Sequence, residues 1–550
     1  MSLAERLARP EILSLPAFDL GQRAGDPFGA GAIRLDANEN PYPPLGPAGV
    51  NRYPEPQPAR LRAAMAALYG VPPQAFLVTR GGDDAIDLLI RTFCRAKEDA
   101  VSVCQPTFSA YAHFARLQGA RVIEARLDED FGFTAERLAA AVAGEPSLKL
   151  AFVCSPNNPT GTPVDPAAVL ALTDALPDTL IVLDEAYLEF SDTPSLAAEA
   201  AVRPNLIVLK TLSKAFGLAG ARVGGLVAAP ETIAMIARAA PPYPLPTLCI
   251  EAAEAALAPA RRAIHEQRIA ELKAERARLA PLLARSPIVR RVHPSQGNFL
   301  FLEVEDAAAL SKRLDALGIR VRFRENAAPG GVRLTIGTRE ENDAALRAFD
   351  VPVEAQRPAR RAELVRDTNE TRIAVAVDLD RAEPRRIATG VPFFDHMLDQ
   401  VASHGNFSLV LSCDGDLEID LHHSLEDCAI ALGQALGTAL DDKRGIGRFG
   451  FALPMDETEA QVLVDLSGRP FCRFEGDFAA THVGDYPTEM TPHIFRSLAD
   501  SMRAAIHVRV DGQNDHHKVE AAFKAFGRAL RQAVAREGSS DALPSTKGVL

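Results

Sequence analysis

Two groups of residues in this 550-residue sequence have types and spacings suited to chemistry. The first lies in Lys210 to Gly225, KTLSKAFGLAGARVGG, where Lys214 follows a hydroxyl, Ser213, and precedes a run of small residues and Arg222. Only a neutral amine attacks a carbonyl, and burial lowers a lysine's pKa, so Lys214 is a candidate Schiff-base nucleophile. Most lysines beside small residues are simply solvated, and partners elsewhere must decide between the two. The second group is a repeated pattern, HHxxE, at His422, His423 and Glu426 (LHHSLED) and again at His516, His517 and Glu520 (DHHKVEA). Another histidine precedes each: His396, 26 residues before His422, and His493, 23 residues before His516. On a helix, residues four apart share a face while adjacent ones turn away by about 100°, so neighbouring histidines serve two ions more readily than one. Imidazoles with a carboxylate suit a divalent ion such as Mn²⁺, ahead of Zn²⁺ or Fe²⁺. One HHxxE alone is as easily a surface pair; two in matched surroundings point to metal ligands and to two similar halves.

These groups need elements to position them. Ala75 to Arg80 (AFLVTR) predicts a strand, Gly81 and Gly82 a turn, and Asp83 to Cys94 an amphipathic helix. A strand, glycine turn and helix start leave backbone N–H groups aimed at one point, which makes an anion site or, more simply, a helix capped by aspartate. Strand-like runs then alternate with helical patterns: AVSVC from Ala100, RVIEARL from Arg121, LKLAFVC from Leu148, TLIVLDEAY from Thr179 and NLIVLK from Asn205. That alternation predicts a mostly parallel sheet with helices on both faces and a ligand at the carboxyl ends of its strands. Polar residues fall at those ends: Asn157 and Asn158 in SPNNPTG, Asp184 and Tyr187 in DEAY, and Lys214. Glu251 to Leu283 reads as one long helix, and Ile288 to Arg339 as a smaller α+β domain built on SQGNFLFLEV and GGVRLTIGT. The text from Val351 to Glu363 has no apolar periodicity, so the expected division is a first domain at 1–352, a linker at 353–363 and a second domain at 364–550.

Composition excludes some classes. Apolar residues make up 47% and charged residues 24%, ordinary for a globular chain, and a net charge of −12 argues against a nucleic-acid partner. Seven cysteines without CxxC pairs suit a reducing compartment. The first residues carry acids and no apolar core, and no uninterrupted apolar run of about 18 residues follows, so a cytoplasmic protein without a membrane partner is expected.

The motifs LDANENPY, NRYPEP, SPNNPTG, DEAY, TLSKAFGLAGARVG and RLTIGTREE occur in family order over about residues 30 to 341, and this part resembles the fold-type I, pyridoxal-phosphate-dependent aminotransferases, specifically the histidinol-phosphate aminotransferase group. In isolation Asp184 reads as a strand-end turn residue and Arg333 as a surface arginine; their joint order reverses that. The resemblance implies that Lys214 bonds the cofactor and moves the substrate proton, and that Asp184 faces the pyridine nitrogen. It implies that Tyr187 and Asn158 bond the phenolic oxygen while Phe108, where many relatives carry tyrosine, stacks on the ring. The backbone N–H groups of Gly82, Asp83 and Asp84, with Ser213 and Arg222, would hold the phosphate. Tyr53 would reach the phosphate of a neighbouring subunit, implying at least a dimer, and Arg333 would bind the carboxylate of glutamate. Phe18, in LPAFDLG, departs from the tyrosine common at that place and weakens the inference of substrate-phosphate binding there.

From about residue 364 onward, ETRIAVAVDLD, GVPFFDHMLDQVASHG, GIGRFG, PMDE, DLSGRP and LPSTKG resemble imidazoleglycerol-phosphate dehydratase. This implies an α+β domain of two βαββα-type halves, assembled into a metal-bridged shell. Its ligands would be His396, His422, His423, Glu426, His493, His516, His517 and Glu520, drawn from more than one subunit, with two Mn²⁺ at each site. Glu370, and Glu520 beside its ligand role, are the acid–base candidates, and Arg448, Arg469, Ser545 and Lys547 would bind the substrate phosphate. Together the two resemblances imply consecutive steps of histidine biosynthesis. Imidazole-glycerol phosphate would be dehydrated to imidazole-acetol phosphate, which glutamate then transaminates to L-histidinol phosphate. The alternatives are a general or aromatic aminotransferase in the first part and a metal-bound assembly scaffold in the second.

Overall fold

Leu180, Val182, Ile207 and Leu209 pack into one apolar cluster, while Ile181, Leu183, Leu206 and Val208, interleaved with them in the chain, pack into another. Strands apolar on both faces must lie inside a three-layer structure. The computed structural model of the chain bears this out. The description that follows concerns residues 1–15, 35, 37–44, 50–353, 359–451, 457–536 and 542–545.

The chain forms two compact units, Met1–Leu257 with Arg268–Glu354, and Ala258–Gln267 with Ala355–Leu550. In the first, strands β1 (Phe76–Thr79), β2 (Ala100–Gln105), β3 (Arg121–Arg126), β4 (Leu148–Cys154), β5 (Leu180–Asp184), β6 (Leu206–Thr211) and β7 (Gly224–Val227) make a seven-stranded sheet in the order β1-β7-β6-β5-β4-β2-β3. Pairings from β3 across to β6 are parallel, and β7 pairs antiparallel with both β6 and β1. The sheet is therefore mostly parallel, as the alternating text predicts. The helix after β1 begins at Gly81 rather than Asp83, because Gly81 adopts φ +80° and itself makes the strand-to-helix turn.

A smaller antiparallel sheet holds β8 (Val289–Val292), β9 (Phe299–Val304), β10 (Arg322–Phe323) and β11 (Gly331–Thr335), packed around Leu300, Leu302 and Leu334. The long helix expected over Glu251 to Leu283 is two helices, Thr247–Leu257 and Pro259–Leu283. Proline disfavours α geometry in the residue before it, so the break falls at Ala258.

The second unit is built twice over. Strands β12 (Arg361–Asp367), β13 (Thr371–Asp378), β14 (Arg385–Ala388) and β15 (Ser408–Gly415) form a sheet in the order β12-β13-β15-β14. β16 (Phe449–Phe451), β17 (Glu459–Asp465), β18 (Phe471–Glu475) and, after a short pair β19 (His482–Val483) and β20 (Tyr486–Pro487), β21 (Ala505–Asp511) form another in the order β16-β17-β21-β18. In each sheet two antiparallel pairings are followed by one parallel pairing, and each half reads βββαβα rather than βαββα once the short pair is set aside. β12 starts at Arg361, inside the stretch expected to be linker, and pairs Glu363 with Ala376. One apolar core, including Val375, Leu409, Phe394, Val462, Ile506 and Phe523, joins both sheets to the helices Pro392–Gly405, His422–Leu440, Met490–Met502 and Asp515–Val534. Among the described residues no helix is long and apolar enough to cross a membrane.

Candidate active sites

In the first unit the ends of β4, β5 and β6 converge. β5 ends on Asp184, whose carboxylate accepts a 2.5 Å hydrogen bond from the buried Tyr111 hydroxyl at Oδ2 and a 3.0 Å bond from Ala186 N–H at Oδ1. Burial raises the Asp184 pKa; the Tyr111 bond, the Ala186 N–H and the nearby Lys214 oppose that rise. After β4, the Asn158 amide donates to the Tyr187 hydroxyl at 3.2 Å, and its oxygen accepts from the Arg333 guanidinium. Asn157 serves the loop instead, donating to Pro106 O and Thr160 Oγ1 at 2.9 Å each.

The stretch after β6 holds two lysines with different fates. Lys210 is buried in an ion pair with Glu185 at 2.6 Å, which commits its charge. Lys214 keeps solvent access, and its ammonium lies 5.6 Å from the centre of the Tyr187 ring. Its pKa is lowered, first by desolvation and then by Arg333, with Asp184 pulling the other way. The lysine with the lowered pKa is thus the one beside Tyr187, which Asn158 bonds.

At the other end of the cleft, the helix Gly81–Phe93 begins with no side-chain cap, so the N–H groups of its first turn, those of Gly82, Asp83 and Asp84, stay available. The Arg222 guanidinium lies over this turn, bonded to Asp83 Oδ2 at 3.3 Å and Ala219 O at 3.1 Å. A Cβ on Gly81 would sit 2.8 Å from that guanidinium. Ser213 follows Thr211, whose Oγ1 accepts its N–H at 3.2 Å. Phe108 meets Tyr111 edge to face at 5.6 Å, and Tyr111 stacks on Phe152 at 4.8 Å. Tyr53 is half exposed and stacks on Tyr243 at 4.5 Å. Phe18 lies outside the described residues.

In the second unit the histidines assemble in a pairing that chain order does not suggest. His422, Glu426 and His493 bring their ligand atoms within 4.8 Å of one another, with His493 Nε2 3.0 Å from Glu426 Oε1. The mirror trio is His396, His516 and Glu520, where the carboxylate lies 3.6 Å from His396 Nε2 and 3.4 Å from His516 Nε2. Each upstream histidine therefore joins the HHxxE of the other half, because helix Met490–Met502 packs on His422–Leu440 and helix Pro392–Gly405 on Asp515–Val534. The second trio also carries Lys524, 2.8 Å from Glu520, a cation that sequence reading passed over. His423 and His517 point elsewhere: His517 Nδ1 lies 3.0 Å from both oxygens of Glu457, and His423 Nδ1 lies 3.9 Å from Glu370.

The expected phosphate ligands are less converged. Arg448 turns its guanidinium to Asp465 at 2.7 and 3.2 Å and to Pro544 O at 3.0 Å, which brings the tail bearing Ser545 against it. Arg469 is exposed, and Lys547 lies outside the described residues.

Residues 37–349, more than half of the chain, match the family model for aminotransferase class I and II. The chain belongs to the aminotransferase class I and II family. Its first unit is similar to histidinol-phosphate aminotransferase of Xylella fastidiosa, 45% identical over 324 residues, 58% of this chain and 88% of that protein. It is similar in fold to the crystal structure of histidinol-phosphate aminotransferase from Sinorhizobium meliloti in complex with pyridoxal-5'-phosphate, with TM-score 0.50, 26% identity, and coverage of 57% of this chain and 88% of that one.

Beyond the aminotransferase part, residues 389–530 match the model for imidazoleglycerol-phosphate dehydratase. That part is similar to the histidine biosynthesis bifunctional protein HisB of Stenotrophomonas maltophilia, 59% identical over 191 residues, 35% of this chain. The chain spans about half the length of that relative, 53%.

The aminotransferase unit fits pyridoxal phosphate: an uncapped helix start under an arginine, crowded by a glycine with no room for a Cβ, is a phosphate cradle, and the buried Asp184 is an acceptor for a ring N–H. The second unit fits a divalent metal, since the buried His493 Nε2 faces a carboxylate oxygen of Glu426 and a ring nitrogen of His422, all within 4.8 Å of one another.

Proposed function

We propose that the two units catalyse consecutive steps of histidine biosynthesis in the cytoplasm: the second dehydrates imidazole-glycerol phosphate to imidazole-acetol phosphate, and the first transaminates that ketone with glutamate to L-histidinol phosphate. The observation that carries the reading is the coexistence in one chain of the Lys214, Tyr187, Asn158 and Arg333 cluster with the His422, Glu426 and His493 trio.

Pyridoxal phosphate, when bound, supplies the sink for the electrons released at the substrate's α-carbon. Lys214, its amine neutral at a lower pH than an ordinary lysine, would hold the cofactor covalently and, once displaced by the substrate's amine, would be the free base that moves the α-proton. Asp184 would hold the ring N–H, Tyr187 and Asn158 would hold the phenolic oxygen, and Phe108 would cover the ring. The first turn at Gly82, Asp83 and Asp84, with Ser213 and Arg222, binds the phosphate. Arg333 binds the amino acid's carboxylate as a two-pronged donor. Tyr53 serves the site of a neighbouring subunit, so the aminotransferase works as a dimer.

Two divalent ions, Mn²⁺ by preference, supply Lewis acidity toward the substrate's imidazole. His422, Glu426 and His493 would hold one, and His396, His516 and Glu520 the other, with His423 and His517 completing the sites of neighbouring subunits in a shell. Glu370, exposed beside His423, takes or gives the proton. Arg448, Arg469, Ser545 and Lys547 receive the substrate phosphate.

A coupled assay on the purified full chain tests the proposal. Lys214→Ala is expected to abolish transamination and spare dehydration, and His423→Ala to do the reverse. Loss of both steps in either variant, or preference for phenylpyruvate over imidazole-acetol phosphate in kcat/KM, would overturn it.

A further inference from the structure

The duplication of the second unit points to a role for Glu457, the last residue of the PMDE motif, to which the resemblance assigns none. β13 begins at Thr371, after Glu370, and runs on through Val375, Val377 and Asp378; β17 is preceded by Glu457-Thr458 and runs on through Val462, Val464 and Asp465. The two texts share ETxxxVxVD in register. The strands they introduce hold equivalent places, each the second strand of its sheet, paired antiparallel on both sides. Both threonines are 1% exposed, though Thr371 bonds Asp427 Oδ2 at 2.6 Å and Thr458 has no such anchor among the described residues, and each turn brings its glutamate toward the second histidine of the following HHxxE.

The two copies differ in what the glutamate does there. Glu457 places both carboxylate oxygens 3.0 Å from His517 Nδ1, within hydrogen-bond reach. Glu370 stops 3.9 Å from His423 Nδ1, which is no hydrogen bond, and stays 62% exposed against 41% for Glu457. A carboxylate on Nδ1 holds the proton on that nitrogen, fixes the ring orientation and leaves Nε2 as the lone-pair donor, the usual arrangement behind a metal-binding imidazole.

We propose that Glu457 is a positioning residue that presents Nε2 of His517 to a divalent cation, and that the duplicated glutamates have divided their work: Glu457 holds a ligand, while Glu370 is left free to meet the substrate. The inference rests on the dehydratase reading of the second unit. It requires nothing of Glu457 in the chemical step.

The test titrates the full-length, metal-stripped chain with Mn²⁺, counting free ion by electron paramagnetic resonance, and measures dehydration at limiting and saturating Mn²⁺. Glu457→Ala is expected to weaken the affinity of one class of Mn²⁺ sites by about tenfold or more, with kcat recovered at saturating metal. Glu457→Gln, whose amide oxygen still accepts from Nδ1–H, is expected to fall between wild type and alanine. Glu370→Ala is expected to show the opposite split, with wild-type Mn²⁺ affinity and a collapsed kcat. If Glu457→Ala and Glu457→Gln both bind Mn²⁺ as wild type does, or if Glu457→Ala loses kcat that saturating Mn²⁺ does not restore, the inference is wrong. A wild-type chain that neither binds Mn²⁺ nor dehydrates would instead sink the dehydratase reading itself, whereas His517→Ala losing Mn²⁺ while Glu457→Ala keeps it sinks only the positioning role.

Discussion

Tyr111 donates a 2.5 Å hydrogen bond to Asp184 in a pocket where both residues are shut off from water. A buried carboxylate stays charged only if enough donors face it. Burial raises the Asp184 pKa, and Tyr111 is the strongest influence holding it down. Tyr111→Phe keeps the ring stacked on Phe152 and removes only the hydroxyl. The variant's Asp184 should protonate at higher pH, so the acid limb of transamination moves upward. Apoprotein should also bind pyridoxal phosphate about tenfold more weakly, the size of one lost hydrogen bond to a charged group. Absorbance titration of the apoprotein and a pH–rate profile read the two effects. An unchanged acid limb would show that Tyr111 only fills space.

Arg333, the proposed carboxylate ligand, also acts on the amine of Lys214. The Lys214 pKa lies below the ordinary lysine value because of desolvation first and Arg333 second. Removing the cation in Arg333→Gln should therefore raise it, leaving less neutral amine at any given pH. Competitive acetylation of the apoprotein across pH should show the Lys214 labelling curve displaced to higher pH in the variant. The sign carries over to stability: the folded state binds fewer protons at Lys214 than the unfolded chain. Its stabilising contribution is present above the unfolded pKa and fades as pH falls through the folded one, a fade that Arg333→Gln should reduce.

How much of this was readable beforehand depends on whether a contact is local. Asp184, Asn158 and Lys214 stand at strand ends, where a parallel sheet always gathers its ligands, so alternation of strands and helices was enough to bring them together. Tyr111 is different. In sequence it is an aromatic inside an apolar helix, Ala110–Gln118, and only tertiary packing carries its hydroxyl to an aspartate 73 positions away. The histidine trios fail for the same reason: spacing along the chain suggests His396 with His422, but the helices that pack together belong to opposite halves. Glu457 was within reach, since ETxxxVxVD stands twice in the text. Arg448 was found by motif, yet its partner Asp465 depends on the register of β16 with β17.

Gly81 makes a prediction about the cradle that needs no catalysis. Its φ of +80° is costly for any residue with a Cβ, about 1–3 kcal/mol. The added methyl of Gly81→Ala would also lie 2.8 Å from the Arg222 guanidinium and push it off the helix start. The variant should melt several degrees below wild type and retain pyridoxal phosphate poorly. Adding Arg222→Ala should recover only the steric part of the lost stability, so the double variant is less destabilised than the two single effects summed. Full additivity in thermal melts of the apoprotein would mean that the arginine simply moves aside.

The exchange of histidines between halves can be read by counting metal. If His493 serves the ion held by His422 and Glu426, then His493→Ala and His422→Ala damage one and the same class of Mn²⁺ site. Combining them should cost little more than either alone, because residues that share a ligand set are not additive. His493→Ala combined with His516→Ala should behave oppositely and remove both classes, since His516 shares Glu520 with His396. Equilibrium dialysis against Mn²⁺, followed by metal analysis of the protein, gives the stoichiometries directly. Pretreatment with a chelator should erase the differences among all the variants and abolish dehydration, while transamination through Lys214 continues. Non-additive loss in the His493 and His516 pair, with additive loss in the His493 and His422 pair, would show that each half keeps its own upstream histidine.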